Sequence, residues 1–420
     1  MLAASRGRGT GTHASGLAEV RAAQAVWARA PLGERLAIVR KARHLVARRA
    51  LELTSLVRRD PADTLVAEIL PLAEGFRFLE REAERILKPV RPAAKPPLWL
   101  RGVDLEIHRE PHGVVLVVGP SNYPLLLPGI QAVQALAAGN AVMVKPGRGG
   151  LAAASAVAAI LRDAGLAPNL CRVLDEDTGQ VHRTVAAGVD KVVLTGSYET
   201  GRTLGAVLAD TATPAVMELS GHDPLFVLAS ADLDLTAKAL HFGVTLNGEN
   251  TCIAPKHVYV AAVIADRFRD RLAALYPDFP VSTFERPEEA AREAARSGYA
   301  LGATVFGEEH EAAKFARLIR AGVVVINDMI VPTADPRMPF GGRGRSGYGT
   351  TRGAEGLLEM TAIKAVAIRK GKPRPHLDER RPGDAELFRA FLAAAHGGSL
   401  GERSKGWKDV LRAVLARRKD

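Results

Sequence analysis

Residues 114–146 read VVLVVGPSNYPLLLPGIQAVQALAAGNAVMVKP, and this stretch decides the fold. A short apolar run, VVLVVG, is followed by a longer segment with helical spacing that ends at Gly139. A second short apolar run, NAVMVKP, comes next. A buried strand, a helix and another buried strand in this order are typical of a parallel sheet with helices on both faces.

The alternation continues to residue 220. It runs through helix GLAAASAVAAILRDAG, strand LCRVL, helix TGQVHRTVAAG, strand DKVVLTGS, helix ETGRTLGAVLADT and strand PAVMELS. Five strands with four connecting helices predict an α/β fold with a Rossmann-like, doubly wound parallel sheet. Such sheets bind ligands outside the carboxyl ends of their strands, where the sequence places Asn122, Lys145, Gly196, Ser197 and Glu218.

The rest of the chain divides into segments with different residue patterns. Helical spacing dominates the first ninety or so residues, and a proline-rich stretch follows. A second α/β pattern begins at DPLFVL and includes a predicted helix over EEHEAAKFARLIRAG, residues 308–322, and the strand VVVIN. We predict six parts: 1–92, N-terminal helices; 93–112, a bridging segment; 113–220, the Rossmann-like domain; 221–345, a second α/β domain; 346–369, a return segment; and 370–420, a basic tail with two amphipathic helices.

Composition excludes several classes of protein. The 420 residues carry two cysteines and a net charge of +11. With no CxxC pair or histidine-rich cluster, a disulfide framework and a zinc site are both disfavoured, and a reducing cytoplasm fits. The positive charges are scattered along helix-like segments and not clustered, and no apolar run is long enough for a membrane span. We therefore expect a cytoplasmic protein without a metal, a nucleic-acid partner or a membrane partner.

Cys252, in NGENTCIAP (residues 247–255), is the candidate nucleophile. A cysteine nucleophile needs a route to the thiolate, donors for the oxyanion that it creates, and a base for the next attacking group. The Asn122 amide and the Cys252 backbone N–H are candidate oxyanion donors, and Glu218 is the candidate base. Each also has a simpler interpretation: a buried small apolar residue for Cys252, a turn or cap for Asn122, and an ion-paired surface residue for Glu218.

Several motifs taken together resemble those of the aldehyde dehydrogenase superfamily. They occur in the family's chain order and extend over about residues 20–368. The motifs are GPSNYPLLL with ALAAGNAVMVKP, LTGSYETG, MELSGHDPLFVLASADLD, NGENTCIAPKHVYV and MPFGGRGRSGYGTTRGAEGLLEMTAIKAV.

The resemblance implies a reaction for the three candidate residues. Cys252 attacks an aldehyde carbonyl, Asn122 and a backbone amide hold the thiohemiacetal oxygen, and hydride passes to a nicotinamide. Glu218 then activates the water that hydrolyses the thioester. Retention of Glu218 argues mildly against coenzyme A as the acyl acceptor. The segments near 97–110 and 362–369 resemble the family's subunit-bridging strands, which implies a homo-oligomer.

The resemblance also implies roles for the domains and a cofactor site. It makes 113–220, with the helices of 1–92, the cofactor domain, 221–345 a shortened catalytic domain, and 346–369 a return segment with an oligomerisation strand. Lys145 matches the lysine that bonds the adenosine ribose, and the Gly196–Ser197 turn that opens the helix at Glu199 matches the pyrophosphate contact at a helix N-terminus. Pro120 is a further candidate cofactor-binding residue. Phe340 matches an aromatic wall beside the nicotinamide ribose. GRGRSG, residues 342–347, satisfies GxGxxG but follows no apolar strand, so the resemblance makes it a closing loop.

Two departures from the family pattern leave alternatives open. Arg148 stands where the family usually has a ribose-binding glutamate, which favours NADP over NAD while allowing either. The stretch between Cys252 and PFGG is several dozen residues shorter than usual and lacks the Glu-Ile-Phe-Gly-Pro motif. A catalytically impaired nucleotide-binding or structural subunit is therefore one alternative to an active dehydrogenase, and a coenzyme A-acylating enzyme is another.

Overall fold

The structure is a computed structural model that describes residues 10–372 and 374–416. The described chain forms two compact units. Residues up to 92 and from 106 to 366 form the larger unit, and residues 93–105 and from 367 onward form the smaller. None of the described helices combines the length and the apolar composition needed to cross a membrane.

Helices fill the N-terminal part of the larger unit, as the periodicity predicts. In the longest amphipathic helix, Leu72, Phe76, Leu79 and Ala83 recur at three-to-four spacing and are buried, so this face packs into the core. A single π-helical turn, Leu65–Ile69, precedes this helix. The helices are α1 Thr10–Trp27, α2 Leu32–Arg48, α3 Ala50–Thr54, α4 Pro61–Thr64 and α5 Leu70–Leu87.

After strand β1 (Val103–Pro111), strands and helices alternate to residue 218. The elements are β2 Val114–Val118, α6 Leu126–Ala137, β3 Ala141–Lys145, α7 Leu151–Asp163, β4 Cys171–Val173, α8 Gly179–Ala186, β5 Lys191–Thr195, α9 Tyr198–Thr211 and β6 Ala215–Glu218. The five parallel strands lie in the order β6-β5-β2-β3-β4. Every residue of β2, β3 and β5 is buried, which explains their continuous apolar runs.

A second parallel sheet follows in the chain. Its region contains β7 Asp223–Val227, α10 Leu233–Thr245, β8 Pro255–Ala261, α11 Ala265–Ala273, β9 Val281–Phe284, α12 Pro287–Ala295, β10 Tyr299–Ala300, β11 Gly302–Phe306, α13 Glu309–Ala316 and β12 Val323–Ile326. Five of the strands form a sheet in the order β12-β11-β7-β8-β9. The sequence that arrives where Glu-Ile-Phe-Gly-Pro is missing forms β9 and α12, so the shortened segment still closes a five-stranded sheet.

The helix predicted over EEHEAAKFARLIRAG is shorter than its pattern suggests. It begins at Glu309, with the Glu308 carboxylate accepting bonds from the backbone N–H groups of His310 and Glu311, and ends at Ala316. Beyond that point the chain leaves the α-helical pattern, because the N–H groups of Leu318 and Ile319 bond to the carbonyls three residues earlier, those of Phe315 and Ala316. The prediction of a helix to residue 322 was therefore wrong at its C-terminal end.

The closing segment pairs with two earlier strands: β13 (Arg343–Gly344) pairs antiparallel with β10 in a separate two-stranded sheet, and β14 (Gly347–Tyr348) pairs antiparallel with β6 at the edge of the first sheet. Gly347 has a φ of 99°, and a Cβ at this position would collide with the Met217 carbonyl. The glycines of GRGRSG therefore serve a tight strand crossing and not a phosphate-binding loop. Helix α14 (Gly353–Glu359) follows, and β15 (Thr361–Arg369) pairs with β1.

The smaller unit consists mainly of two helices, as predicted for the tail. They are α15 (Asp384–His396) and α16 (Leu400–Ala416), and the rings of Phe391 and Trp407 meet edge to face with centroids 6.1 Å apart. The predicted α/β class with a doubly wound sheet is confirmed, while the six-part division of the chain stays a prediction.

Candidate active site

Cys252 and Glu218 line the same cavity, which has a volume of about 120 Å³. Its walls come from the π-helical turn, the start of α6, the end of α10 and the loop before β13. The charged residues of the lining are Glu218 and Arg352. The remaining lining is apolar, aromatic or hydroxyl-bearing: Val66, Ala67, Pro71, Tyr123, Leu126, Leu127, Phe242, Leu246, Thr251, Ile253, Ile330, Val331, Thr333, Ala334 and Phe340.

The loop between α10 and β8 presents Cys252 to this cavity. Asn247 and Glu249 turn the chain through left-handed conformations, and Thr251 anchors it by donating to the Leu246 carbonyl at 3.2 Å. The Tyr123 and Thr251 hydroxyls are 2.8 Å apart, which ties the loop to the start of α6. Cys252 itself is partly exposed.

The Cys252 thiol is in a place that opposes its ionisation. Burial raises its pKa, nearby Glu218 and Asp223 raise it further, and Arg352 lowers it. The free thiol is therefore protonated at neutral pH, and a group in the cavity must take its proton before it can act as a nucleophile.

Glu218 ends strand β6 and is 3% exposed. Its Oε2 accepts a hydrogen bond from the Thr351 hydroxyl at 2.9 Å. Burial raises the pKa of this carboxyl, and Arg352 and Thr351 oppose the rise. A carboxyl with a raised pKa, at a strand end beside a cysteine, is suited to exchange protons near neutral pH.

Arg352 is a site residue that the sequence analysis missed. It is buried at 8% exposure, and its Nη1 donates to the Thr333 carbonyl at 2.6 Å. Its guanidinium carbon lies 4.4 Å from the centre of the Phe340 ring. Its φ of 59° just before α14 is a backbone feature that no sequence pattern signalled.

Asp223, at the start of β7, is a second residue that was missed. It is buried against Gly221 and Gly302, each of which would drive a Cβ into its carboxylate. Burial raises the pKa of this carboxyl well above its ordinary value, with the Gly302 amide and Lys256 opposing the rise. Two buried acids therefore flank the loop that carries Cys252.

Asn122 does not take the position that was expected of it. It is not among the residues that line the cavity, and its Nδ2 donates to the Asn250 carbonyl at 2.7 Å. Its own carbonyl accepts from Arg59 at 2.8 Å and from Asn247 at 3.0 Å. The structure thus uses Asn122 to join the end of β2 to the Cys252 loop, and Tyr123 contributes to the cavity wall.

The expected cofactor residues lie at the carboxyl ends of their strands. Lys145 ends β3 and is buried, and burial lowers its pKa while Glu176 and Asp177 oppose the shift. Ser197 caps α9 by accepting from the Thr200 N–H at 3.1 Å, and the half-buried Gly196 precedes it.

The loop between β3 and α7 lies directly against the one after β2. Gly147 packs on the backbone of half-buried Pro120 so closely that a Cβ would collide with it. Arg148, the next residue, is exposed. The Glu176 carboxylate accepts the N–H groups of Gly149 and Leu151, each at 2.9 Å, so a negative charge already lies at the start of α7.

Phe340 lines the cavity that contains Cys252, whereas these strand-end residues do not. It is 2% exposed, lines the cavity with Cys252 and lies under the Arg352 guanidinium. The structure therefore brings together Cys252, Glu218 and Phe340, and it places Pro120, Lys145, Arg148, Gly196 and Ser197 at the strand ends outside this cavity.

Comparison with known proteins identifies the family. The model of the aldehyde dehydrogenase family matches residues 13–281 and 276–366. A Mycolicibacterium smegmatis protein named "Putative succinate-semialdehyde dehydrogenase" with NADP(+) specified is 28% identical, and the match covers 84% of each chain. A "Probable coniferyl aldehyde dehydrogenase" from Pseudomonas aeruginosa is also 28% identical, with the match covering 75% of this chain and 80% of the relative.

The fold comparison agrees. The crystal structure of an indole-3-acetaldehyde dehydrogenase from P. syringae, a cysteine mutant in complex with NAD+ and IAA, superimposes with a TM-score of 0.78 at 22% identity. It covers 86% of this chain and 89% of that one. The chain belongs to the aldehyde dehydrogenase family, and the resemblance inferred from its motifs is confirmed.

Proposed function

We propose that the protein oxidises an aldehyde to a carboxylic acid with NAD+ or NADP+, using water as the acyl acceptor. Aldehyde, water and oxidised cofactor give carboxylic acid, reduced cofactor and a proton. The observation that carries this proposal is that the thiol of Cys252 and the carboxyl of Glu218 line one small cavity whose walls are otherwise mostly apolar.

Three residues of the chain, Cys252, Asn122 and Glu218, carry out the steps of this reaction. Glu218 takes the proton of the Cys252 thiol and passes it to solvent, and the sulfur bonds to the aldehyde carbon. The carbonyl oxygen becomes an oxyanion that the Cys252 backbone N–H and, after leaving Asn250, the Asn122 amide stabilise. A bound nicotinamide supplies the hydride acceptor that turns this adduct into a thioester. Glu218 then takes a proton from water, the water oxygen bonds to the carbonyl carbon, and the carbon–sulfur bond breaks to release the acid.

The strand ends fit a dinucleotide. Lys145 is a buried ammonium group with no ion pair to any described residue, so a ribose hydroxyl would give it a polar partner. The N-terminus of α9 at Gly196 and Ser197 offers backbone N–H groups to a pyrophosphate, beside Pro120. The relatives differ in cofactor, since one name specifies NADP(+) and one structure holds NAD+. Exposed Arg148 supports use of NADP, and neighbouring Glu176 supports use of NAD.

A cytoplasmic homo-oligomer is part of this proposal. Strands β1 and β15 form a two-stranded sheet in which β15 has no further strand on its outer edge among the described residues, while Ile107 of β1 exchanges two backbone hydrogen bonds with Val90. Ile363 on β15 is 66% exposed. An unpaired edge with exposed apolar side chains supports pairing with a second copy, in line with the bridging segments expected near 97–110 and 362–369.

Turnover and one variant pair test the proposal. The protein is mixed with NAD+ or NADP+ and a panel of aldehydes, and reduced cofactor and acid product are measured. We expect both to form in equal amounts and to be lost in Cys252→Ser. Cys171→Ser is the matched control, because Cys171 is buried in the first sheet, where burial raises its pKa to about 12. Equal activity of the two variants would contradict the proposal.

A second candidate function rests on Asn122. The Asn122 side-chain amide donates to the Asn250 carbonyl, so it does not point a free donor at an oxyanion on Cys252. This contact supports a nucleotide-binding protein with impaired catalysis. Calorimetry separates the two candidates: cofactor binding without thiol-dependent turnover supports the impaired protein. Acid formation that requires coenzyme A and yields an acyl-coenzyme A first supports the acylating alternative.

A further inference from the structure

The cavity beside Cys252 contains a positive charge whose use the proposed reaction does not explain. Arg352 is the cation of the lining, and every other lining residue apart from Glu218 is uncharged. A buried guanidinium stays charged at all relevant pH values and is costly without an anionic partner. The question is what ligand would offset that cost.

The contacts of Arg352 within the protein are all with neutral groups. Nη1 donates to the Thr333 carbonyl, and the guanidinium lies over the Phe340 ring. Its Nε has no hydrogen-bond partner, and no carboxylate oxygen of the described residues lies within 4.0 Å of an Arg352 guanidinium nitrogen. The guanidinium is thus held in a fixed orientation by a carbonyl and a ring, with donor capacity left over.

Glu218 does not satisfy this cation directly. Its Oε2 accepts the Thr351 hydroxyl, and no ion pair joins it to Arg352. Burial also raises the pKa of the Glu218 carboxyl, which reduces the negative charge it presents. The cavity is therefore electropositive whenever Glu218 is protonated, and an incoming anion would be stabilised there.

We infer that Arg352 binds the carboxylate of a substrate that carries an acid group as well as the aldehyde. This inference rests on the proposed function and names its substrate class: short aldehydes with a carboxylate at the far end of the chain. A cavity of about 150 Å³ holds a six-carbon ring in another protein, so about 120 Å³ suits a chain of only a few carbons.

A charge-matched substrate pair tests the assignment. Succinate semialdehyde and its methyl ester differ at the far end mainly by the negative charge, and kcat/KM is measured for both with wild type, Arg352→Met and Arg352→Lys. We expect wild type to prefer the acid. In Arg352→Met the acid-to-ester ratio should fall about 10- to 100-fold, mainly through KM, as expected for a hydrogen-bonded charge pair. Arg352→Lys should keep part of the preference.

Arg337→Met is the matched control. Arg337 is an exposed arginine outside the cavity and pairs with Asp335, so its replacement should leave the ratio unchanged. Two results would overturn the inference: a wild type without preference for the acid, or an Arg352→Met variant in which both substrates lose kcat/KM equally. The second result would indicate that Arg352 acts on the Cys252 thiolate, and a shifted pH dependence of iodoacetamide alkylation would identify that role.

A direct binding measurement keeps the inference testable if Arg352→Met does not fold or the protein shows no turnover. Butanoate and the isosteric neutral butanamide are compared for protection of Cys252 in the wild type against iodoacetamide. Stronger protection by butanoate supports the carboxylate site, and equal protection overturns it. Absence of turnover with every aldehyde would count against the proposed function alone, because this protection experiment needs no catalysis.

Discussion

Replacing Thr351 by valine should move the pH dependence of catalysis without changing the shape of the site. The Thr351 hydroxyl donates to Glu218 Oε2 at 2.9 Å, and both residues are almost fully buried, at 1% and 3% exposure. Valine has nearly the shape of threonine but lacks the hydroxyl. The carboxylate therefore loses this hydrogen-bond donor.

The size of the effect follows from the burial of the pair. A hydrogen bond to a charged group contributes about 1.5–3 kcal/mol, and one pKa unit corresponds to about 1.4 kcal/mol. Burial already raises the pKa of Glu218, and the Thr351 hydroxyl lowers it. Loss of the hydroxyl should thus raise this pKa by a further one to two units, roughly. The carboxylate fraction at neutral pH falls accordingly.

The assay is the pH profile of kcat at saturating cofactor and aldehyde. In the proposed reaction Glu218 must be ionised to take a proton from water, so the acidic limb of the profile reports its pKa in the bound complex. We expect this limb to move by about one to two pH units to the alkaline side in Thr351→Val. The plateau at high pH should be unchanged, because Glu218 is then ionised in both proteins.

Thr351→Ser keeps the hydroxyl and serves as the control, with a limb close to that of wild type. The hydroxyl is also 3.1 Å from the Phe340 carbonyl, so thermal unfolding of both variants is measured to separate a loss of fold from a change in titration. An acidic limb that does not move, or a plateau that drops equally at every pH, would refute the assignment of Glu218 as the base.

Two further predictions concern other acidic residues. The folded-state pKa of Asp223 is raised above its ordinary value near 3.8, so the native state loses stability as the pH rises from that value through the folded pKa. Asp223→Asn should remove this loss, so its Tm advantage over wild type should grow from about pH 4 upward. A Tm difference that does not change with pH would contradict this prediction. Glu176→Gln removes a negative charge near Lys145 and Arg148. We expect kcat/KM with NADP+, divided by kcat/KM with NAD+, to rise roughly threefold. An unchanged ratio would place the 2′-phosphate elsewhere.

The first sheet could be predicted strand by strand because its signals are local. Strands buried on both faces need runs of apolar residues, as in Val114–Val118 and Lys191–Thr195, and turn residues mark their ends. The helix predicted over residues 308–322 ends at Ala316. Ile319 and Ala321 continue the apolar spacing and still pack against the second core, but from a turn and not from the helix. Periodicity reports which residues could share a face, but tertiary contacts decide where the helix ends.

The fold itself predicts the position of a site residue where a strand end carries it, while Cys252 and Phe340, which lie in loops, were predicted through the motifs. Glu218 and Lys145 follow buried strands, so the fold fixes where their side chains begin. Asn122 follows a strand as well, yet its amide is taken by the Asn250 carbonyl, which lies far away in sequence. Arg352 reaches the cavity through a left-handed backbone turn that brings it to Thr333 and Phe340. No local pattern encodes either contact, since both depend on the closure of loops from separate parts of the chain.

These loop contacts bring acidic groups and Arg352 close enough to change one another's pKa values. Burial raises the pKa of Cys252, Glu218 and Asp223, and the two carboxylates raise the pKa of the Cys252 thiol further. Arg352 is the one cation of the lining that opposes this trend for both Cys252 and Glu218. A substrate carboxylate on Arg352 would weaken that support. We therefore expect the pKa of Glu218 to rise when butanoate binds, so that a carboxylate ligand moves the acidic limb of kcat in the direction predicted for Thr351→Val.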